Sequence, residues 1–390
     1  MALSKTPFET PSESPVERVR AASGRVASAS GTWVLIGENV DHFGGVTLVG
    51  TSSLRAAAAV SPRTDGVISI AARGPLGQEF SAQLPYSDEP ADGLARRWWG
   101  LVHTLVQRQV LSRDTSGMDI TVESDVPVGA GLGALYAADA AIALALAGGH
   151  DDVDTAPFRA RLAEICSHAV DTYSSLPVLR ARHSVALRGA EGVSVVDYAD
   201  GSLTQAPHPS RHGVRVFSVS QELGAPFTQS REAIAERRAF IDAACSNFGV
   251  SSLRQLPDAP GRAVQWVEAR RAAGDTNAPE PEAARRWVAF CESETLRSLA
   301  AAKALRSRRA NELFTLLNSP SEAHDLASPD ALVALARKRG AVAARPAAIG
   351  TSDAVIAFVP VQEADSFAAA MAREFEVVEV AAGEPARLEG

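Results

Sequence analysis

The sequence predicts a two-domain protein, an N-terminal mixed α/β domain over residues 1–208 followed by a C-terminal α+β domain over residues 209–390. Three observations predict it. A chain of 390 residues is too long for one compact core. Its first half alternates strand-like and helix-like patterns, whereas its second half is mostly helical and closes on strand–helix–strand. A Pro/His-rich piece at residues 206–213 separates the two, as an inter-domain link would.

The elements follow in order. Residues 1–15 are rich in Ser, Pro and Thr and are expected to fray, and residues 16–22 read as a short helix. Residues 32–36 are β-branched, aromatic or aliphatic throughout and read as a strand, followed by strand-like runs at 46–61, 67–72 and 80–84. Leu94, Trp98, Leu101 and Leu105 recur at i, i+4, i+7 and i+11, the spacing of an amphipathic helix. Residues 118–122 alternate apolar and polar, as a strand with one buried face does. A glycine-rich loop then leads into an Ala/Leu helix over 132–148, with another helix over 156–173 and strands expected near 184–187 and 193–198. The second half opens on a strand at 214–219. Helical patterns run from Gln229 to about Lys338, broken near 257–260 and 275–281. Strands at 341–344, 354–359 and 375–380, with a helix over 363–373, complete the chain, and no internal repeat is visible.

Composition narrows the function. A net charge of −8 argues against nucleic acid or an anionic membrane as the main partner. Cys166, Cys245 and Cys291 are odd in number and scattered, forming neither a disulfide framework nor a zinc-ligand pair, which suits a reducing cytoplasm. The first residues lack the basic stretch and apolar core of a signal peptide, and the longest apolar run, 137–147, is short and interrupted by Asp139.

Chemistry concentrates at residues 31–45, GTWVLIGENVDHFGG. Gly37 breaks the strand, and Gly44-Gly45 turns the chain back, so Glu38, Asn39 and Asp41 sit on a short loop held between strands. Two carboxylates and an amide there suit the hydroxyls of a small polar ligand; an Asx-type turn with solvated carboxylates fits the same spacing. The segment resembles the galactokinase signature of the GHMP small-molecule kinases, usually GRVNLIGEHTDYNGG, matching at Gly31, Leu35 to Glu38, Asp41 and Gly44-Gly45. Trp98-Trp99, SDVPVGAGL at 124–132 and ARRWVAFCESETLRSLAAAKAL at 284–305 fall in galactokinase order and spacing, so the resemblance covers nearly the whole chain. It implies a ferredoxin-like C-terminal domain, a ligand cleft between the domains, and sugar binding by Glu38, Asn39 and Asp41.

Phosphoryl transfer needs amides and cations around the phosphates, a metal, and a group to orient or deprotonate the acceptor. Gly129, Ala130, Gly131, Leu132, Gly133 and Ala134 form a strand-to-helix loop able to aim amides at an anion; a turn that merely needs small residues fits the pattern as well. In the family this loop reads VPLGAGLSSSAAL, its serines meeting phosphate and magnesium. Here Gly133, Ala134 and Leu135 replace them, and Leu135 cannot ligate magnesium. The family's catalytic aspartate, in GIMDQ, aligns with Arg182 or Ala181, and the arginine of GRVN aligns with Thr32. His183 and Asp171 are the nearest substitutes for the base, although His183 also suits a hydrogen-bonded core position and Asp171 a solvated one. Of the family's third motif, GARMTGAGFGGC, only Arg345 and Gly350 agree, and the tyrosine that often lines the galactose pocket falls near Ile234.

The sequence therefore assigns no catalytic residue and no metal ligand. It points to a cytoplasmic galactokinase-like protein with little or no kinase activity, retained for a small sugar ligand or a regulatory role, with a protein partner as one form of that role. One alternative is an active ATP-dependent sugar 1-kinase with relocated catalytic groups, requiring ATP and magnesium. Another is a structural or interaction protein with an empty cleft.

Overall fold

The computed structural model describes residue 8 and residues 10–224, 230–320 and 324–390. Most of the Ser/Pro/Thr-rich start, and Gln229 at the head of the second-half helical pattern, lie outside the described residues. In chain order the first half contains α1 (Pro15–Val19), β1 (Arg25–Ile36), β2 (Val46–Pro62), β3 (Val67–Arg73), β4 (Glu79–Pro85), α2 (Gly93–Gln107), β5 (Met118–Ser124), α3 (Ala134–Ala147), α4 (Ala156–Tyr173), α5 (Arg180–Arg188), β6 (Val193–Asp197) and β7 (Leu203–Ala206). The second half adds β8 (Val214–Ser220), α6 (Arg231–Phe248), α7 (Ala259–Ala272), α8 (Pro281–Arg306), α9 (Ala310–Asn318), α10 (Asp330–Lys338), β9 (Ala343–Pro346), β10 (Val355–Pro360), α11 (Ala364–Met371), β11 (Glu376–Glu379) and β12 (Arg387–Glu389).

The 17-residue β2 organises the larger sheet. It pairs antiparallel with β1 along its length, with β5 through Ala56–Pro62 and with β6 through Val46–Gly50. Beyond β5 the order continues to β3, which is parallel to β5, and then to β4. Alanines at 27, 29 and 56–59 line this sheet, and α3, itself Ala/Leu and buried from Ala137 to Ala147, packs against β1 and β2. A helix apolar all round belongs in an interior, and small side chains on both partners permit the close approach.

The second sheet has the antiparallel order β11-β8-β10-β9. Phe217, Val355 and Phe367 pack there with Leu332 of α10 and Met371 of α11. Helices α6, α7 and α8 share a third core, into which Val40 and Phe43 of the carboxylate loop insert. Burial of those two side chains ties that loop to the second half of the chain.

Residues 184–187, expected to be a strand, lie instead in α5. A four-residue apolar run cannot distinguish the two by periodicity; here Ala181 and Val185, four apart, both turn inward to a cluster with Val34 and Val49. The link at 206–213 contains a single 3₁₀ turn, Pro209–His212. The short β12 was not anticipated. It returns the last residues of the chain to β1 of the first sheet, so chain order and sheet membership part company at the C-terminus.

Candidate functional site

The carboxylate loop leaves β1 at Gly37 and is closed by Gly44, whose φ of +76° lies in the left-handed region. The amide of Gly45 donates to the carbonyl of Val40 at 2.9 Å and that of Gly44 to Asp41 at 3.1 Å, which fixes the turn. Glu38 is only 3% exposed. Its Oε2 accepts from Arg345 Nη2 at 3.3 Å, and the same nitrogen donates to Glu294 Oε2 at 3.3 Å, so one guanidinium from β9 serves a carboxylate from the loop and one from α8. Burial, reinforced by Glu294, holds the Glu38 carboxyl above its ordinary value despite Arg345. Asp41 Oδ2 accepts from Arg238 Nη2 of α6 at 3.3 Å. The Asn39 amide donates to the carbonyl of Ile349 at 3.0 Å.

Glu38, Asn39 and Asp41 thus come together, and each is bonded to the second half of the chain. The space they share with Leu179, Arg182 and Tyr198 is a cavity of about 20 Å³, room for about one or two water molecules. Tyr198 was missed in the sequence. Its hydroxyl accepts from the amide of Ala181 at 3.0 Å, and burial, then Asp41, raises its pKa. The available signal was its position just beyond β6, which pairs with the stretch of β2 following the carboxylate loop.

The glycine loop joins β5 to α3. Its carbonyls are tied down: Ala130 accepts from Ser218 Oγ of β8 at 2.6 Å, Leu132 from the amide of Thr32 at 2.8 Å, and Gly131 from Arg182 Nη2 at 3.0 Å. Gly133 sits at φ +67°, where a Cβ would lie 2.7 Å from Thr32 Oγ1 and 2.8 Å from Arg182 Nη1. The helix then starts with no side-chain cap. Its first-turn amides, at Ala134, Leu135 and Tyr136, have no intrahelical acceptor and border a cavity of about 100 Å³. Gly129, Ala130, Gly131, Leu132, Gly133 and Ala134 therefore do form a strand-to-helix cradle around open space.

Comparison with known proteins gives a consistent answer. No family model matches the chain. It is similar to the galactokinase of Streptomyces coelicolor, 28% identical over 297 residues, covering 73% of this chain and 72% of that protein. Among solved structures, the galactokinase of Lactococcus lactis in complex with galactose aligns at a TM-score of 0.72 and 16% identity, over 93% of this chain and 94% of that one. The chain has the fold of the GHMP kinases and is similar in sequence to a galactokinase. The Methanococcus jannaschii mevalonate kinase shares the fold at a TM-score of 0.54 and 12% identity, over 95% and 99% of the two chains. The two-sheet mixed α/β architecture is that of the GHMP kinases.

Within this galactokinase-like frame the remaining positions can be located. Arg182 is 3% exposed. Its guanidinium donates to the carbonyls of Thr32 and Gly131, its Nε has no partner among the described residues, and it lies over the Tyr136 ring at 5.8 Å. Burial lowers its pKa, yet a guanidinium stays charged at neutral pH. Neighbouring Ala181 offers no polar group. His183 is wholly buried, with Nε2 3.1 Å from Asp139 Oδ2 and Nδ1 3.0 Å from Ser167 Oγ. Burial lowers its pKa despite Asp139, and both ring nitrogens are engaged away from the cleft. Asp171 is exposed on α4.

Asp139 also accepts from Arg97 and from Trp98 Nε1. Burial would raise its pKa, but Arg97 and His183 outweigh it and bring it to about 2. This Arg97–Asp139–His183–Ser167 cluster satisfies itself beneath Tyr136. It leaves the glycine-loop cavity without a free carboxylate, and among the described residues no group of three or more His, Cys, Asp or Glu could hold a metal ion. Gly133, Ala134 and Leu135 supply no oxygen side chain, so this donor set does not fit magnesium. No helix among the described residues is long and apolar enough to cross a membrane.

Proposed function

We propose that this is a galactokinase-like protein that performs little or no phosphoryl transfer and is retained in a reducing cytoplasm for binding a small ligand or for a regulatory role. The cleft that would serve it lies between residues 1–208 and 209–390. The observation that carries this reading is Arg182. The family's catalytic aspartate aligns with Arg182 or with Ala181, and neither the guanidinium packed against the glycine loop nor the alanine can accept a proton. A positioned base is worth roughly 10²–10⁴ in rate. The substitutes do not restore one, because His183 is spent on Asp139 and Ser167 while Asp171 faces solvent.

On this reading Glu38, Asn39 and Asp41 keep the sugar-binding role that the galactose-bound relative suggests, and a polyol entering the cleft displaces Arg238 and Arg345 from the carboxylates. The closed cavity of about 20 Å³ favours a second reading, an interaction protein with an empty sugar site. A thermal-shift panel of sugars separates the two, since a ligand that binds only the native state raises its stability by RT ln(1 + [L]/Kd). A coupled ADP-release assay with galactose and magnesium-ATP tests the first claim. A turnover of about 1 s⁻¹, the low end for ordinary enzymes, overturns it.

A further inference from the structure

Apolar side chains exposed singly are ordinary on a soluble protein and need no explanation. On α8 two occur together: Leu296 is 63% exposed and Leu299 41%, one turn apart. They belong to a line of outward-facing residues, Glu292, Leu296, Leu299, Lys303 and Arg306, all exposed and spaced alternately four and three residues apart. That is the 3.5-residue repeat of a helix seam that packs against another helix. The opposite side of α8 is already covered, with Cys291, Glu294, Thr295 and Ser298 buried. Arg297 turns away from the seam, to Glu294 and to the carbonyls of Leu316 and Ser319. Arg306 ends the line by donating to the Thr204 hydroxyl and the Gln205 carbonyl of β7. Glu292 and Lys303, by contrast, carry no ion pair among the described residues.

The order of charges makes this line complementary to itself. Leu296 and Leu299 lie equally far from the midpoint of the seam, and so do Glu292 and Lys303. A second α8, turned end for end about a two-fold axis through that midpoint, sets each Leu296 against a Leu299 and each Glu292 against a Lys303. A parallel pairing would oppose like charges at both places instead. We propose that α8 is the contact helix of a symmetric homodimer, an antiparallel pair joined by four leucines and bordered by two ion pairs. Such a contact is isologous, the closed symmetry commonest among soluble oligomers, and the spacing gives a shallow crossing of about 20°. At 1.5 Å per residue the seam is about 21 Å long on a helix about 10 Å across. That footprint is well short of the roughly 800 Å² per partner of a standard interface, so the dimer is weak and its population follows concentration. Glu294, which meets Arg345 beside the carboxylate loop, stands on the far side of α8 from the seam. Association therefore leaves that loop uncovered, and the proposal holds whether or not the loop binds a sugar.

The test is sedimentation equilibrium of the full chain from low micromolar to near-millimolar concentration. A monomer–dimer equilibrium is expected, with the dimer weakened by added salt because its ion pairs are exposed. Leu296→Glu, which places a carboxylate at the centre of the seam, should leave a monomer throughout with the melting temperature of the unchanged protein. Glu292→Lys makes the line wholly basic and Lys303→Glu makes it wholly acidic, so each alone should weaken association about tenfold, two attractions becoming two repulsions. Mixed together, the two variants should associate more tightly than either does alone, and Glu292→Lys combined with Lys303→Glu in one chain should restore the original constant. These charge exchanges touch only exposed side chains, so they carry the test should Leu296→Glu fail to fold. A monomer at every concentration, a dimer indifferent to Leu296→Glu, assembly beyond the dimer, or a mixture of the two charge variants no tighter than its components overturns the proposal.

Discussion

Replacing Arg345 by methionine removes the guanidinium that Glu38 and Glu294 share. The consequences for the two carboxylates differ. Glu294 keeps Arg297, its neighbour one turn on in α8. Glu38 Oε2 accepts from Arg345 and its Oε1 has no partner among the described residues, so Arg345→Met leaves one uncompensated carboxylate whose side chain is 1% exposed. Breaking a buried pair from one side costs about 3–5 kcal/mol, a large share of the stability of an ordinary domain. The penalty also has a pH signature. The folded pKa of Glu38 already lies above the ordinary carboxyl value, and deleting Arg345, which lowers it, moves it higher. A carboxyl raised in the folded state contributes stability that is present below the unfolded value and lost as pH rises through the folded one. The deficit of Arg345→Met against wild type should therefore be largest near pH 8 and shrink toward pH 5. Adding Glu38→Gln should recover most of it at the higher pH. Urea unfolding of the three proteins at several pH values measures this. A deficit under about 1 kcal/mol at pH 8, or one independent of pH, refutes the account of Glu38 as the carboxylate held in place by Arg345.

Asp41→Ala should cost only about 1–2 kcal/mol, because Arg238 stays bonded to the carbonyl of Val178 at 2.5 Å; in a thermal-shift assay it should also abolish any stabilisation by sugars if Asp41 holds a polyol. Gly133→Ala should lower the melting temperature, since it combines a left-handed conformation, about 1–2 kcal/mol for a residue with a Cβ, with contacts of 2.7 and 2.8 Å to Thr32 and Arg182. Magnesium-ATP titrated calorimetrically should give no isotherm at micromolar concentration, because Leu135 offers no metal ligand. Thr32→Arg and Arg182→Asp should each destabilise alone and partly rescue one another when combined, with a coupling of about 1–3 kcal/mol in a double-mutant cycle; simple additivity would show that the two positions do not interact.

Much of the fold is readable where periodicity is long. The helix expected over about residues 156–173 is α4, and the Leu94–Trp98–Leu101–Leu105 spacing lies within α2. Short elements escape. Three residues of β12 carry no period, and their pairing with Val26 to Ser28 joins the two ends of the chain. The 184–187 error is of the same kind: Val185 is buried in either geometry, so burial pattern alone could not choose. At the site, the sequence locates the loop carrying Glu38, Asn39 and Asp41 and the cradle after β5, because glycines and carboxylates mark them. It does not reveal that Arg238 and Arg345 reach across from α6 and β9: Arg345 is marked only by agreeing with the family's third motif, and nothing local distinguishes Arg238 from the other arginines.

The most informative of these long-range contacts joins two positions that read, in sequence, as separate losses. Thr32 stands where the family carries an arginine, and Arg182 stands at or beside its aspartate. In three dimensions the Arg182 guanidinium donates to the Thr32 carbonyl, with Oγ1 3.5 Å away. A cation therefore remains beside the glycine loop, delivered from α5 instead of β1, while the anion that would have accepted a proton is gone. The small Thr32 and the Cβ-free Gly133 are what make room for it, since a Cβ at 133 would meet both the threonine hydroxyl and the guanidinium. Proton acceptance and anion attraction are separable tasks at a phosphoryl-transfer centre. On the function proposed above, a side chain that could perform the first is absent here and Arg182 can perform only the second.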